Sequence, residues 1–345
     1  MYGSNLATDP GGWVGERISA QMLRQWCSPK VILAVTNLTD EQVLLSHVLR
    51  QARPGSARVL LAYFVPHQAP SGTPLWKTRL GAPQFKIREA QMIAERMARQ
   101  LRWLGIQSEP IISKASPSEE VSALVRSGNA DRVLFTVQAH RALADPASCL
   151  DSEGLLRNLE LLHNLEVPCC IIGPRVIQNY KNTRFTRRVT LALSPGSDCE
   201  VALRFASRYA QENDAVLTLI QVLSDSSTEA SAQNHASIAL PSALPQWALR
   251  EAELLCSMET AVRIGDPAEE ILKFDSSTRQ DLIILNSPGS EPQNSAGVGY
   301  SVICEASCPV MILGRQHSAG EEIGRKPPIR LDRPIQHRGD LRQKK

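Results

Sequence analysis

The chain has 345 residues, of which 43 % are apolar and 21 % are charged, and its net charge is +3. This length suits about two domains that each bury a core, and the longest apolar runs fall well short of the ~20 residues that cross a bilayer. The excess positive charge lies beyond residue 315, so the rest of the chain lacks the basic face that is typical of nucleic-acid-binding domains. We therefore expect a cytoplasmic protein with no membrane insertion and no nucleic acid among its partners.

Residues 1–29 form a leader ahead of the first predicted strand. Trp13, Ile18, Met22 and Trp26 recur at approximate helical spacing, which predicts an amphipathic helix. We expect this helix to pack on the domain that follows it. A helix for a protein partner or for a membrane surface is the alternative, although its polar face carries few basic residues.

Two stretches of the chain repeat the same elements in the same order. KVILAV at Lys30–Val35 matches RVTLAL at Arg188–Leu193, and both predict a first strand opened by a basic residue. A helical pattern and a near-continuous apolar run follow in each copy, as in a parallel sheet that is covered on both faces. These elements are Glu41–Gln51 and Arg58–Val65 in the first copy, and Cys199–Gln211 and Ala215–Leu223 in the second.

The match continues through the next helices. Gln84–Gly105 and Gln246–Cys256 show apolar residues at helical spacing and predict the second helix of each copy. SPSEEV at Ser116–Val121 then matches DPAEEI at Asp266–Ile271. Each begins with an N-cap residue, followed by proline at the first helical position and by glutamates near the positive end of the helix.

Two further pairs of strands complete the repeat. DRVLFT at Asp131–Thr136 matches DLIIL at Asp281–Leu285, and VPCCIIG at Val167–Gly173 matches CPVMILG at Cys308–Gly314. The fold class is therefore α/β, with two tandem doubly wound five-stranded parallel-sheet domains of Rossmann-like type. We place them at residues 30–175 and 186–315, joined by a linker at Pro174–Thr186 and followed by a basic disordered tail at 316–345.

The last strand of each domain is apolar throughout, and we expect these two strands to pair within the chain. Such pairing buries two sheet edges that would otherwise invite association. It makes the chain an intramolecular pseudo-dimer, compatible with either a monomer or a homodimer of such units.

Cysteine and histidine residues form no chemical motif. The eight cysteines are scattered, without CxxC spacing or a flanking histidine, so we expect buried reduced thiols and no metal. The seven histidines are dispersed, and none pairs with a nearby Cys or Asp as a nucleophilic dyad would. The pattern indicates that the protein is not an enzyme.

GDPAEEIL at Gly265–Leu272, the strand DLIIL and the closing strand CPVMIL resemble the universal stress protein family, and specifically its tandem-domain members. The resemblance covers roughly residues 30–175 and 186–315 and is weaker in the first copy. It implies an adenine-nucleotide-α-hydrolase-like fold and a stress-response or regulatory function. It also implies a site for ATP or another adenine nucleotide, which we expect in the second domain only.

In ATP-binding members of that family, a G-x-x-G loop follows strand four, and Gly-Ser or Gly-Thr follows nine residues later. Backbone amides of such a loop cradle phosphates. Here Asn286 replaces the first glycine, Tyr300 follows Gly299, and Ser194 stands where the family has an aspartate at the end of strand one. Counting back from Cys308 instead puts Gly297 at the second glycine, so the motif is degenerate. The candidate nucleotide-contacting residues that the resemblance implies are Ser194, Val222, Gly265, Asn286, Gly289, Gly297, Gly299 and Ser301.

Several alternatives stay open. Gly289, Gly297 and Gly299 also fit a surface loop that caps a helix at Val298–Glu305. In the first copy, the sequence from Thr136 to His140 has no glycine, which favours nucleotide-free domains that act as an interaction or regulatory scaffold, for example of a transporter. The loop Ser194–Cys199 loosely echoes that of ATP pyrophosphatases, but Pro195 removes an amide donor. The stress, the signal and the protein partner are not specified.

Overall fold

The structure is a computed structural model, and its described residues are 29–36, 41–52, 55, 57–64, 83–113, 117–136, 165, 167–178, 186–193, 199–223, 244, 246–286 and 292–313. The predicted leader helix and the basic tail lie outside this part of the chain. So do Ser194, Gly289 and His140.

The described strands form one sheet. They are β1 (Val31–Thr36), β2 (Arg58–Phe64), β3 (Gln107–Ser113), β4 (Arg132–Thr136), β5 (Cys169–Ile172), β6 (Arg188–Leu193), β7 (Val216–Leu223), β8 (Met258–Ile264), β9 (Leu282–Asn286) and β10 (Val310–Leu313). Their order is β3-β2-β1-β4-β5-β10-β9-β6-β7-β8. All neighbours are parallel except β5 and β10, which are antiparallel. The predicted fold class, two five-stranded doubly wound units, is confirmed.

Helices cover both faces of this sheet. They are α1 (Glu41–Gln51), α2 (Pro83–Trp103), α3 (Pro117–Arg126), α4 (Pro174–Gln178), α5 (Cys199–Asn213), α6 (Gln246–Leu255), α7 (Pro267–Thr278) and α8 (Pro292–Glu305). Buried residues of α1, α2, α5 and α6 share one core, which we call the α1 face, and those of α3, α7 and α8 share the other, the α7 face. Each core contains residues from both halves of the chain, so neither half buries its apolar surface independently.

The two halves meet at β5 and β10. Val310, Met311 and Ile312 pair with Ile171, Cys170 and Cys169, respectively. Every residue of these two strands is buried, and Cys169 faces the core of the α7 face while Cys170 faces that of the α1 face. The predicted pairing of the last strands within one chain is confirmed, and burial on both faces explains why both strands are continuously apolar.

Two aspartates occupy equivalent positions in the two halves. The Oδ2 atom of Asp131 accepts hydrogen bonds from the backbone amides of Lys30 and Val31 at 2.8 and 2.9 Å. In the second half, Oδ2 of Asp281 accepts from the amides of Arg187 and Arg188 at 2.8 and 3.0 Å. Each aspartate directly precedes the fourth strand of its half and forms hydrogen bonds to the start of the neighbouring first strand. This structural role explains why Asp occurs at this position in both copies.

A buried polar cluster joins the halves on the α1 face. Arg132 is only 1 % exposed, and its guanidinium donates to Oε1 of Gln51 at 3.1 Å and lies 5.6 Å from the ring centroid of Tyr209. Burial raises the pKa of Tyr209, and the charge of Arg132 opposes that rise. Burial likewise raises the pKa of the Cys170 thiol to about 11, so the thiol stays protonated. We call these four residues the seam cluster, because Tyr209 belongs to the second half and the others to the first.

The segment predicted as a plain linker, Pro174–Thr186, begins with a helix. In α4, the guanidinium of Arg175 donates to the backbone carbonyl of Glu305 at 3.0 Å, near the end of α8. Just before α4, Gly173 lies so close to α8 that an added β-carbon would overlap the carbonyl oxygen of Ile303. The connection is therefore packed against the second half, and glycine is required at residue 173 by this close approach.

Substituting Gly173→Ala should lower the free energy of unfolding by about 3 kcal/mol, because the backbone of α8 must shift to accept the methyl group. Urea unfolding followed by circular dichroism measures the change. An unchanged midpoint would contradict the close contact between residue 173 and Ile303.

The seam cluster predicts energetic coupling between the halves. Arg132→Leu and Tyr209→Leu should each lower the free energy of unfolding. The double variant should lose less stability than the two single variants together, with a coupling of about 1–2 kcal/mol for a desolvated cation–π pair. A double-mutant cycle in urea measures this coupling. Additive effects would show that the two side chains stabilise the chain independently.

Candidate functional site

The carboxyl ends of β6 and β9 lie side by side in the second half. β6 pairs with β7 on one side and with β9 on the other, and Ala192 is the partner of Leu285 near the end of both strands. The chain leaves these neighbouring strands toward opposite faces of the sheet, since β6 leads to α5 and β9 leads to α8. In open α/β sheets, ligands bind in the crevice at such a switch point.

Asn286 is the last residue of β9, and its side-chain amide nitrogen is buried without a hydrogen-bond partner among the described residues. Thr136 occupies the equivalent end of β4 in the first half, and its buried hydroxyl oxygen likewise has no partner within the described part of the chain. A buried amide that the protein leaves unpaired requires an explanation, and a bound acceptor is one. The family resemblance selected Asn286 by position, but nothing in the sequence indicated its unpaired amide.

The glycines of α8 lie elsewhere than predicted. The helix was expected to begin at Val298, but it begins at Pro292, so Gly297 and Gly299 are its sixth and eighth residues. Only the first four amides of a helix lack a partner within it. The amides of Gly297 and Gly299 are therefore used inside the helix, and the interpretation of these glycines as a loop that caps it is wrong.

The two glycines also have different surroundings. Gly297 is exposed, and a β-carbon placed there would have no neighbour within 4 Å. Gly299 is buried, and its β-carbon would lie 4.0 Å from Cδ1 of Leu285, an ordinary contact. Neither position therefore requires glycine on steric grounds.

Gly265 has a structural reason for being glycine. It follows β8 with a φ of 139°, a conformation that residues with a side chain rarely adopt, and its amide donates to the carbonyl oxygen of Leu223 at 2.9 Å. The next residue, Asp266, caps α7 by accepting from the amide of Glu269 at 3.0 Å, and Pro267 follows at the first helical position. The predicted N-cap is confirmed, and Gly265 makes the sharp connection into it.

Of the four remaining candidate residues, the structure describes two. Val222 is half-buried near the end of β7, where it packs against the core of the α7 face, and Ser301 is half-buried in α8. Ser194 directly follows β6, and Gly289 precedes α8, but both lie outside the described residues. The structure thus places Val222, Gly265 and Asn286 at or near the carboxyl ends of their strands, and Gly297, Gly299 and Ser301 inside a helix.

The described cysteines offer no activated nucleophile. Burial raises the pKa of Cys308 well above its ordinary value, and the nearby Asp275 carboxylate adds to the effect. That carboxylate accepts hydrogen bonds from the amide of Ser307 at 2.7 Å and from the Cys308 thiol at 3.6 Å. Cys169, Cys170 and Cys199 are also buried. Within the described ranges, no cluster of three His, Cys, Asp or Glu residues is arranged to hold a metal ion.

An apolar groove lies on the first half, away from the strand ends discussed above. It has a volume of about 520 Å³ and is lined mainly by side chains of α1 and of the carboxyl end of α2. Trp103 at its rim is 87 % exposed. Since α2 runs back to the start of β3, the groove lies near the amino ends of the strands. It is therefore a separate surface feature, of a kind that suits a protein partner.

None of the helices in the described part of the chain combines the length and apolar character that crossing a lipid bilayer requires.

Comparisons with known proteins agree with this architecture. Residues 186–314 match the model of the universal stress protein family. A universal stress protein from Archaeoglobus fulgidus DSM 4304 is structurally similar with a TM-score of 0.59 and 15 % identity, covering 84 % of this chain and 98 % of that chain. A functionally unknown protein from Pseudomonas aeruginosa PAO1 has a TM-score of 0.54 and 12 % identity, covering 84 % and 94 %, respectively. No curated protein matches the sequence.

The conformation of Gly265 predicts a matched pair of substitutions. Gly265→Ala should lower the free energy of unfolding by about 1–3 kcal/mol, because alanine is strained at this φ. Gly297→Ala, in an exposed helical position, should instead raise it by about 0.5–1 kcal/mol. Thermal or urea unfolding of both variants tests this, and a stabilised Gly265→Ala variant would contradict the strained turn.

Proposed function

We propose that the chain, whose residues 186–314 match the model of the universal stress protein family, is a cytoplasmic stress-response regulator. Its second half binds ATP or another adenine nucleotide weakly and without turnover. The observation that carries this proposal is the buried amide of Asn286, which has no hydrogen-bond partner among the described residues and lies at the carboxyl end of β9, beside the end of β6. An adenosine moiety offers several acceptor atoms to such a donor.

The arrangement of α8 supports weak binding. A phosphate cradle needs free backbone amides at a glycine-rich turn or at the first turn of a helix. In this chain Gly297 and Gly299 lie past that turn, and the first residue of α8 is Pro292, which has no amide hydrogen. Among the described residues near the end of β9, phosphate contacts can therefore come only from a first turn of α8 that lacks one donor. The nucleoside part supplies most of the affinity.

The first half has a different role in this proposal. Its strand four ends in Thr136, whose hydroxyl takes the place of the Asn286 amide, and the following residues contain no glycine as far as His140. We assign no nucleotide to this half. It serves as a scaffold that is joined to the nucleotide-binding half through β5, β10 and the seam cluster.

A second candidate function is a nucleotide-free interaction protein. The groove beside Trp103 favours it, since an exposed apolar surface of this size on the first half is suited to a protein partner. Mass spectrometry of the purified chain separates the two functions. Copurified adenine nucleotide supports the regulator, and its absence together with capture on the groove side supports the interaction protein.

Binding without turnover is supported by several cysteines and one histidine in the described part of the chain. Burial raises the pKa of the Cys169, Cys170 and Cys308 thiols. Burial, together with the nearby charge of Arg50, lowers the pKa of His47 to about 3, so His47 is neutral near pH 7. An assay for release of phosphate or pyrophosphate from ATP should give no signal above a protein-free control.

Isothermal titration of the full chain with ATP should show one site per chain, with a dissociation constant between about 10 µM and 1 mM. Asn286→Leu should weaken binding by about fivefold or more, because the ligand then loses a donor in the crevice. The matched control is Thr136→Val at the equivalent position of the first half, which should leave the dissociation constant unchanged.

Two results would overturn the nucleotide proposal. One is no heat of binding at ATP concentrations of several millimolar with a folded chain. The other is equal loss of affinity in the Asn286 and Thr136 variants, which would place the ligand outside the crevice between β6 and β9.

A further inference from the structure

Among the described strands, β3 and β8 are the two outer ones, and their outer edges differ in how well they are protected. In β3, Glu109 forms an ion pair with Arg58 of the neighbouring β2, and Pro110 offers no amide hydrogen to a further strand. β8, with the sequence METAVRI, contains no proline, and Glu259, Thr260, Arg263 and Ile264 are exposed. β8 is thus the edge at which another strand can add.

The hydrogen bonds to β7 show which backbone groups of β8 point outward. The carbonyl oxygen of Ser257 accepts from the amide of Leu217 at 2.9 Å, and the amide of Gly265 donates to the carbonyl of Leu223 at 2.9 Å. Because backbone groups of alternate residues point to opposite sides of a strand, the odd-numbered residues between them also face β7. The amides and carbonyls of the four even-numbered residues point away from the sheet. These residues are Met258, Thr260, Val262 and Ile264.

The side chains of β8 are complementary to those of a second, antiparallel β8. In a register centred on Ala261, the full lengths of the strands overlap, and the outward-facing residues lie opposite one another as hydrogen-bonded pairs. In this register Glu259 of each strand lies opposite Arg263 of the other. Such pairs fall at the closely spaced, non-hydrogen-bonded positions of an antiparallel ladder, where opposite charges stabilise pairing.

The sheet faces on which the apolar and charged side chains of β8 lie are also compatible with this register. Glu259, Ala261 and Arg263 lie on the α7 face, where Ala261 packs against the core and Arg263 lies 5.9 Å from the ring centroid of Phe274. Met258 and Ile264 lie on the opposite face, and Ile264 is 49 % exposed. The same register places Met258 opposite Ile264, so one arrangement satisfies the charges, the apolar residues and the backbone.

We propose that β8 is a homodimer interface, at which two copies of the chain join their sheets edge to edge through an antiparallel β8–β8 pair. The arrangement is isologous, because the same strand of both copies supplies every contact. A seven-residue strand pair is small compared with a permanent interface, so the dimer forms and dissociates with concentration. The proposal is independent of nucleotide binding, since β8 lies two strands away from β6.

Sedimentation velocity of the full chain, over about 1 to 100 µM, tests the interface. The wild type should shift from monomer to dimer as concentration rises. Arg263→Glu and Glu259→Arg should each weaken the dimer by about tenfold or more, because each places like charges opposite one another twice. The double variant, Glu259→Arg with Arg263→Glu, restores complementary pairs and should dimerise like the wild type. Mixing the two single variants should give a heterodimer.

Thr260→Pro supplies a second, backbone-based test. The Thr260 amide points away from β7, so proline removes a hydrogen bond of the dimer but none of those between β8 and β7. The variant should be monomeric, with unchanged circular dichroism and urea midpoint. The proposal is overturned if the wild type is monomeric throughout the concentration range, or if the single charge variants dimerise as the wild type does. It is also overturned if neither the double variant nor the mixture recovers the dimer.

Discussion

The structure depends on the antiparallel pairing of β5 with β10. Each is a four-residue strand at what would be the exposed end of a five-stranded sheet, and both are buried on both faces. A lone parallel sheet with such an edge would present unpaired backbone groups on a continuously apolar strand. Joining the two edges closes both at once and makes the two cores continuous, so the stability of each half depends on the presence of the other.

The elements that the sequence predicted best are α1 and the central strands. The limits of α1 and β6 are as predicted, and those of β2, β7 and β9 differ by one residue, since continuous apolar runs between polar turns define central strands. The third strands, β3 and β8, were not located, because an edge strand exposes much of its length and has no apolar run. The N-terminal end of α8 was placed six residues too late, since Pro292 and two glycines indicate a loop when propensity alone is considered.

The candidate site was predictable only in part. Internal repetition and family resemblance led to Asn286 and Gly265, because local sequence marks strand ends and caps. Whether the Asn286 amide finds a partner depends on what surrounds it in space, and a single sequence does not reveal that none of the described residues pairs with it. The same holds for the seam cluster, where Arg132 meets Tyr209 from the other half. An arginine inside a predicted strand resembles a solvent-exposed position, and only the joined sheet turns it into a buried contact.

The strand order has a consequence for how the chain is made. β5 is synthesised at the end of the first half, but its neighbour β10 is the last of the described strands to leave the ribosome. Throughout this interval the outer edge of Cys169–Ile172 has no strand beside it, and the apolar surface that both cores will bury is open to water. Nascent chains in that state can pair with one another or associate with chaperones. Translation speed and chaperone supply during the second half should therefore influence the yield of native protein more strongly than they would for two independently folding domains.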